Sequence, residues 1–135
     1  MTKQQKTKMP GDHISPYNDQ ELEYFRQIIV NKREKAAREM KTLKKALEEE
    51  RDHTRIKVTS TSHMGDVGTD AREQEKRYIL HNRTRKFINY LNAALERINN
   101  KTYGICKVTG KKIAKGRLEA VPHTQLSIEA KRKQR

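Results

Sequence analysis

Tyr103-Gly-Ile-Cys106-Lys-Val-Thr109-Gly-Lys-Lys-Ile-Ala-Lys-Gly-Arg117-Leu118-Glu119-Ala120-Val-Pro122-His-Thr-Gln-Leu-Ser127-Ile-Glu-Ala130-Lys131 is the stretch on which the fold turns. Residues 102–122 are β-like and punctuated by Gly104, Gly110 and Gly116, which mark turns. Ile105, Val108, Ile113, Leu118 and Val121 are its candidates for a small core. After Pro122, Thr124 can cap a last helix that holds Leu126, Ile128 and Ala130 and ends in Lys131-Arg-Lys-Gln-Arg135. The stretch has the outline of a zinc finger, yet it contains one cysteine, Cys106. A closed structural zinc site needs four N or S ligands. Cys106 and His123 lack two further partners nearby, and His63 and Asp66 lie far away in sequence. No metal or other cofactor is expected, so the small domain must fold by packing.

Upstream lie two long amphipathic patterns. Asn18 followed by Glu21 is a capping-box arrangement, in which each residue satisfies a free N–H of the other. Leu22, Phe25, Ile29, Ala36, Met40, Leu43 and Leu47 then recur at helical spacing, interrupted once at Lys32. A helix from Asp19 to about Arg55 follows, about 55 Å long at ~1.5 Å per residue. Residues 58–69 are rich in β-branched and hydroxyl side chains and contain Gly65 and Gly68, which suits a loop. Thr69 or Asp70 can cap a second helix. Its stripe is Leu80, Thr84, Phe87, Leu91, Ala94, Leu95 and Ile98, with an end near Lys101 after Asn99 and Asn100. Two such helices joined by a loop zip into an antiparallel coiled-coil hairpin with an exposed tip.

The expected fold is therefore mainly α: a long antiparallel coiled-coil hairpin over residues 18–101, with a tip loop at about 58–69. A small zinc-less α/β finger-like domain with a C-terminal helix occupies 102–135. Residues 1–17, polar and holding Pro10, Gly11 and Pro16, read as a disordered arm. The composition agrees: 33% apolar residues, no Trp and two Phe can fill a narrow helical seam but not a thick core.

The net charge of +14 is uneven. Residues 106–135 carry nine basic and two acidic side chains, against eleven and nine over 18–57. A basic end points to a polyanionic partner, either nucleic acid or an acidic protein groove. A single cysteine excludes an internal disulfide framework and fits a reducing compartment. No stretch approaches the ~20 apolar residues of a membrane span, and Met1 to Lys8 has no apolar segment behind it. A cytoplasmic protein without a membrane partner is expected. Gly110-Lys-Lys-Ile-Ala-Lys-Gly116 lacks the Gly-Lys-Ser/Thr ending of a phosphate loop. No nucleophile is paired with a base, so an enzyme is not expected.

Tyr103-Gly-x-Cys106, Arg117-Leu118-Glu119-Ala120-x-Pro122 and Leu126-x-Ile128 before a basic end occur in a moderately specific order. Arg85-Lys86-Phe87-Ile88 precedes them at a fitting distance. In this order the chain resembles the DksA/TraR family of bacterial regulators over about residues 18–133. In that family the finger carries two CxxC pairs; the corresponding positions here are Cys106, Thr109, Ser127 and Ala130. The resemblance implies a monomeric regulator that binds RNA polymerase. Its base domain braces the hairpin, with Arg117 and Lys131 docking. Its tip, with Asp66 and Asp70, enters the secondary channel and modulates initiation. Three residues separate these two Asp, where the family has two. The family's pocket for ppGpp maps to Tyr90, Val121 and Lys131, of which only Lys131 is basic, so ppGpp dependence is not assumed. Two other readings stay open: non-specific nucleic-acid binding by the basic end, and a coiled-coil interaction or stress protein for another complex.

Overall fold

The computed structural model describes the backbone of residues 14–59 and 64–134, and the side chains of 14–52 and 71–134. Among the described residues four helices follow one another: α1 (Asp19–Thr59), α2 (Met64–Asn99), α3 (Lys115–Ala120) and α4 (Ile128–Lys133). The fold is mainly α, with α1 and α2 as the two strands of a coiled-coil hairpin. Two compact units form, Met1–Lys32 with Tyr90–Arg135, and Arg33–Asn89.

The start of α1 is built as its sequence predicts. Asn18 N–H donates to Glu21 Oε1 at 3.0 Å, and Glu21 N–H donates to Asn18 Oδ1 at 2.8 Å. Helix α2 closes with Lys101 N–H on Ile98 O (3.1 Å) and Thr102 N–H on Arg97 O (2.8 Å), a Schellman pair. This turn holds Lys101 at φ 62°, in the left-handed region.

In the unit that carries both of these ends, Leu22, Phe25, Ile29, Leu91, Ala94, Leu95 and Ile98 form the helical seam. The two helices pair antiparallel: Asp19 meets Lys101 at 2.5 Å and Arg26 Nη2 donates to Asn99 Oδ1 at 2.8 Å. Tyr103, Cys106, Ile113, Leu118, Pro122 and Ala130 of the small domain are buried beside this seam. Phe25 is the centre of the packing, with the rings of Tyr17, Tyr24 and Tyr103 at 5.3, 5.3 and 5.4 Å. Edge-on and tilted aromatic pairs of this kind add about 0.5–1.5 kcal/mol each beyond their buried area.

The other unit pairs the middle of α1 with α2. Arg51 Nη2 donates to Tyr78 Oη at 3.2 Å, and Glu50 is ion-paired with Arg77. Eight residues earlier on α1, Thr42 and Leu43 face Leu80 and Thr84 across a cavity of about 700 Å³. Advancing along α1 thus moves the partner back along α2, the antiparallel sense. Ala36, Leu47 and Thr84 are buried here. The stripe is imperfect: Leu80 is 44% exposed, because long charged side chains (Lys35, Arg38 and Glu39) line the cavity where apolar side chains would close it.

Several expectations need correction. The arm does not extend to residue 17. Ser15 N–H donates to Lys101 O (2.6 Å), Ser15 Oγ donates to Tyr103 O (2.6 Å), and Tyr17 is 4% exposed; residues 1–13 lie outside the described residues. The expected tip loop at 58–69 is largely helical, since α1 reaches Thr59 and α2 begins at Met64. Helical propensity penalties of Val and Thr are a few tenths of a kcal/mol, too small to stop a long helix. The β character of 102–122 reduces to one antiparallel bridge, Ile105 with Lys112, and residues 115–120 are a short helix. Val108 lies at the outer turn, 61% exposed, and Tyr103 and Cys106 fill the core instead. Ser127, not Thr124, caps the last helix, accepting from Ala130 N–H at 3.1 Å.

Candidate functional site

The small domain is organised around Cys106 and a neighbouring cleft. The chain turns at 106–111, with Gly110 N–H on Cys106 O and Cys106 N–H on Lys111 O, both 2.8 Å. Gly110 takes φ 72°, which this turn needs and glycine adopts without strain. The turn is tied to the segment before α4 by Lys107 N–H on Gln125 O at 2.9 Å. These bonds bring Thr109 and Ser127 against the Cys106 sulfur. Thr109 N–H lies 3.5 Å from Sγ. Burial pushes the thiol up, but hydrogen bonds from the Thr109 hydroxyl, the Ser127 N–H, the Thr109 N–H and the Ser127 hydroxyl outweigh it and hold it at about 6.

Beside this turn is a cleft of about 500 Å³ lined by Tyr90, Lys107, Arg117, His123, Leu126 and Lys131, among others. The structure therefore brings Arg117 and Lys131 to one place. Their roles differ. Arg117 Nε donates to Leu126 O at 2.8 Å and Nη2 to Thr124 Oγ1 at 3.3 Å, so its guanidinium holds the cleft wall. Lys131 is exposed on α4 and presents free charge to solvent. Tyr90 and His123 stack at 5.7 Å and 3°. Burial, and then the cations Arg97 and Lys32, keep His123 below its usual range. Arg97 Nη2 donates to His123 O at 3.2 Å, and burial lowers Arg97 as well.

The basic end is a surface feature. Lys107, Lys111, Lys112, Lys115, Lys131, Arg132 and Lys133 are all exposed. Lys112 and Lys115 stand over the rings of Tyr17 and Tyr24, at 5.0 and 5.3 Å. Asp66 and Asp70 fall within α2, but their side chains lie outside the described residues.

Sequence reasoning missed Ser15, Tyr17, Lys107 and the Tyr90–His123 stack. Tyr17 did carry a signal: an apolar residue just before a capping box is the usual place for a hydrophobic staple.

Comparison with known proteins decides the family. Residues 101–135 match the prokaryotic dksA/traR C4-type zinc finger. RNA polymerase-binding transcription factor DksA of Caulobacter vibrioides is 31% identical over 121 residues, covering 90% of this chain and 80% of that protein. The chain belongs to the DksA/TraR family. General stress protein 16O of Bacillus subtilis is 35% identical over 69 residues, covering 51% of this chain and 42% of that protein. The solved structure of transcription factor DksA2 from Pseudomonas aeruginosa superposes with a TM-score of 0.50 at 28% identity, covering 80% of this chain and 83% of that one.

Zinc in a C4-type finger is held by four thiolates. The residues at the corresponding positions of this DksA/TraR member do not fit it. Cys106 supplies one thiolate, Thr109 and Ser127 supply neutral hydroxyls, and Ala130 supplies a methyl. Among the described residues there is no group of three His, Cys, Asp or Glu arranged to hold a metal.

Proposed function

We propose that this chain is a non-enzymatic transcription regulator that binds RNA polymerase and modulates initiation. The observation that carries the reading is the Caulobacter vibrioides relative, an RNA polymerase-binding transcription factor aligned over 80% of its length. The exposed basic side chains around the cleft supply the physics of docking, since a cluster of one sign attracts an acidic surface and speeds encounter. In this reading Lys131, with Lys107, presents charge to polymerase, and Arg117 fixes the wall from which they project.

The tip acts through Asp66 and Asp70. Their positions, four apart within α2, share one helical face. The protein works as a monomer in the cytoplasm and needs no cofactor. Among the described residues no helix is long and apolar enough to cross a membrane. Nucleic-acid binding is the weaker reading. Tyr103, the sole Phe, Tyr or Trp in 102–135, is fully buried and offers no face to a base.

The test is Asp66→Ala combined with Asp70→Ala in a reconstituted transcription assay. The double variant is expected to bind core polymerase with wild-type affinity and to lose its effect on promoter-complex lifetime. An unchanged effect on transcription sinks the role of the tip.

A further inference from the structure

Two paired helices bury their apolar residues fully only where the stripes are narrow or a third element covers them. In the unit that holds the small domain, the rings of Tyr17 and Tyr103 cover Phe25, and Phe25, Ile29, Leu91 and Ala94 are wholly buried. In the unit Arg33–Asn89 the described residues belong to α1 and α2 alone. There the apolar face of α2 is wider than the seam uses. Leu80 is 44% exposed and its neighbour Ile79 is 51% exposed. Leu80 stands between two hollows: the cavity of about 700 Å³ shared with Thr42, Leu43 and Thr84, and one of about 220 Å³ formed with Lys76, Ile79 and Arg83. The rim is basic. Lys35 and Arg38 on α1 and Lys76 and Arg83 on α2 are all exposed, and Glu39 is the one carboxylate among the lining residues. Lys76 lies 3.9 Å from Glu73, an exposed pair that neutralises little. Among the described residues Lys35, Arg38 and Arg83 have no ion pair.

We propose that this groove is a docking site for an acidic amphipathic helix of another protein, which lies along α1 and α2 as a third helix. Its apolar side chains fill the hollows on either side of Leu80, and its carboxylates face Lys35, Arg38, Lys76 and Arg83. Helix-in-groove recognition uses apolar anchors spaced three and four residues apart. Opposite charges at the rim speed encounter and fix the register. The sign of the charge selects the occupant. A second copy would bring the same four cations against one another, and the whole chain carries +14. The chain's own residues 1–13 hold Lys3, Lys6 and Lys8 against Asp12, again the wrong sign. Nucleic acid would satisfy the cations but set phosphates against Leu80 and Ile79. The groove shares no residue with the cleft at Tyr90, Lys107 and Lys131, and it is independent of the polymerase reading.

The test titrates full-length protein against a labelled synthetic helix of about 20 residues, roughly 30 Å long, followed by fluorescence anisotropy. The peptide carries Leu along one face and Glu on the others. Saturable binding is expected, and a control peptide with Lys in place of Glu should not bind. Leu80→Asp should weaken binding about tenfold or more. Because that change also touches the hairpin seam, Arg38→Glu with Arg83→Glu is measured beside it. Both of those side chains are exposed, so melting should stay as in wild type while binding falls by a similar factor. Absence of saturable binding, equal binding of the Lys control, or binding indifferent to both variants overturns the proposal. Sedimentation of the protein alone should give a monomer; a dimer that Leu80→Asp dissociates assigns the groove to a second copy and overturns it. A DNA duplex that displaces the peptide, and is itself released by Arg38→Glu with Arg83→Glu, assigns the rim to nucleic acid and overturns it as well.

Discussion

The ring of Tyr17 lies so close to the backbone of Gly104 that a Cβ added there would meet two ring carbons at 2.7 Å. Gly104 also sits at φ +87°, a conformation L side chains rarely adopt. The contact fastens the segment before α1 onto the small domain. Its bonds support it: Tyr17 Oη donates to Ile113 O, and Ile113 N–H donates to Gly104 O at 2.8 Å. Gly104→Ala therefore combines backbone strain with a clash against an aromatic ring that is itself buried. The expected loss is about 2–4 kcal/mol in urea unfolding. A loss below 0.5 kcal/mol, on the order of a neutral surface change, would show that Tyr17 is not held against Gly104.

Lys101 offers the opposite case. It occupies the left-handed position that closes α2, where glycine is the usual residue. Its side chain reaches Asp19, but both groups are exposed, at 55% and 83%, so the pair contributes little. Lys101→Gly should raise stability by about 0.5–1 kcal/mol in the same assay. A net loss would mean that the Asp19 pair outweighs the relief of strain.

The Cys106 thiol sets a pH dependence. An unfolded cysteine here ionises near 9.0 and the folded one near 6, so between these values the unfolded chain binds the extra proton. The stability contributed by this group is complete above about pH 9 and is lost as the pH falls toward 6. His123, held below its usual range, adds acid sensitivity further down. Urea unfolding across this range should give stability that rises with pH in the wild type and a shallower rise in Cys106→Ala. Identical slopes would show that Cys106 is protonated throughout.

Much of this structure is legible in the sequence because it is local. Asn18 and Glu21 are three residues apart, and their bonds need no other part of the chain. The stripes from Leu22 to Ile29 and from Leu91 to Ile98 follow helical periodicity alone. The likeness of 102–135 to a finger was visible in the order of its Gly, Cys, Arg-Leu-Glu-Ala and Pro residues. What was not legible depends on distant partners. Tyr17 is drawn in by Ile113 and Gly104, far along the chain, so its segment read as an arm. Val108 and Tyr103 look equally apolar, and only the turn at 106–111 decides which points outward. Arg117 read as a docking charge because nothing nearby in sequence reveals that Leu126 O and Thr124 Oγ1 consume its donors. The helical reach of α1 and α2 into 58–69 follows from continuation of long helices over residues with weak preferences of their own.

Polymerase binding by this member of the family is open to direct measurement. Purified full-length protein should be mixed with core RNA polymerase at moderate salt, with and without a competitor that occupies the secondary channel, and complex formation measured. The expected result is a complex that the competitor displaces and that Lys131→Glu weakens. Absence of a complex, or one indifferent to the competitor, would contradict it.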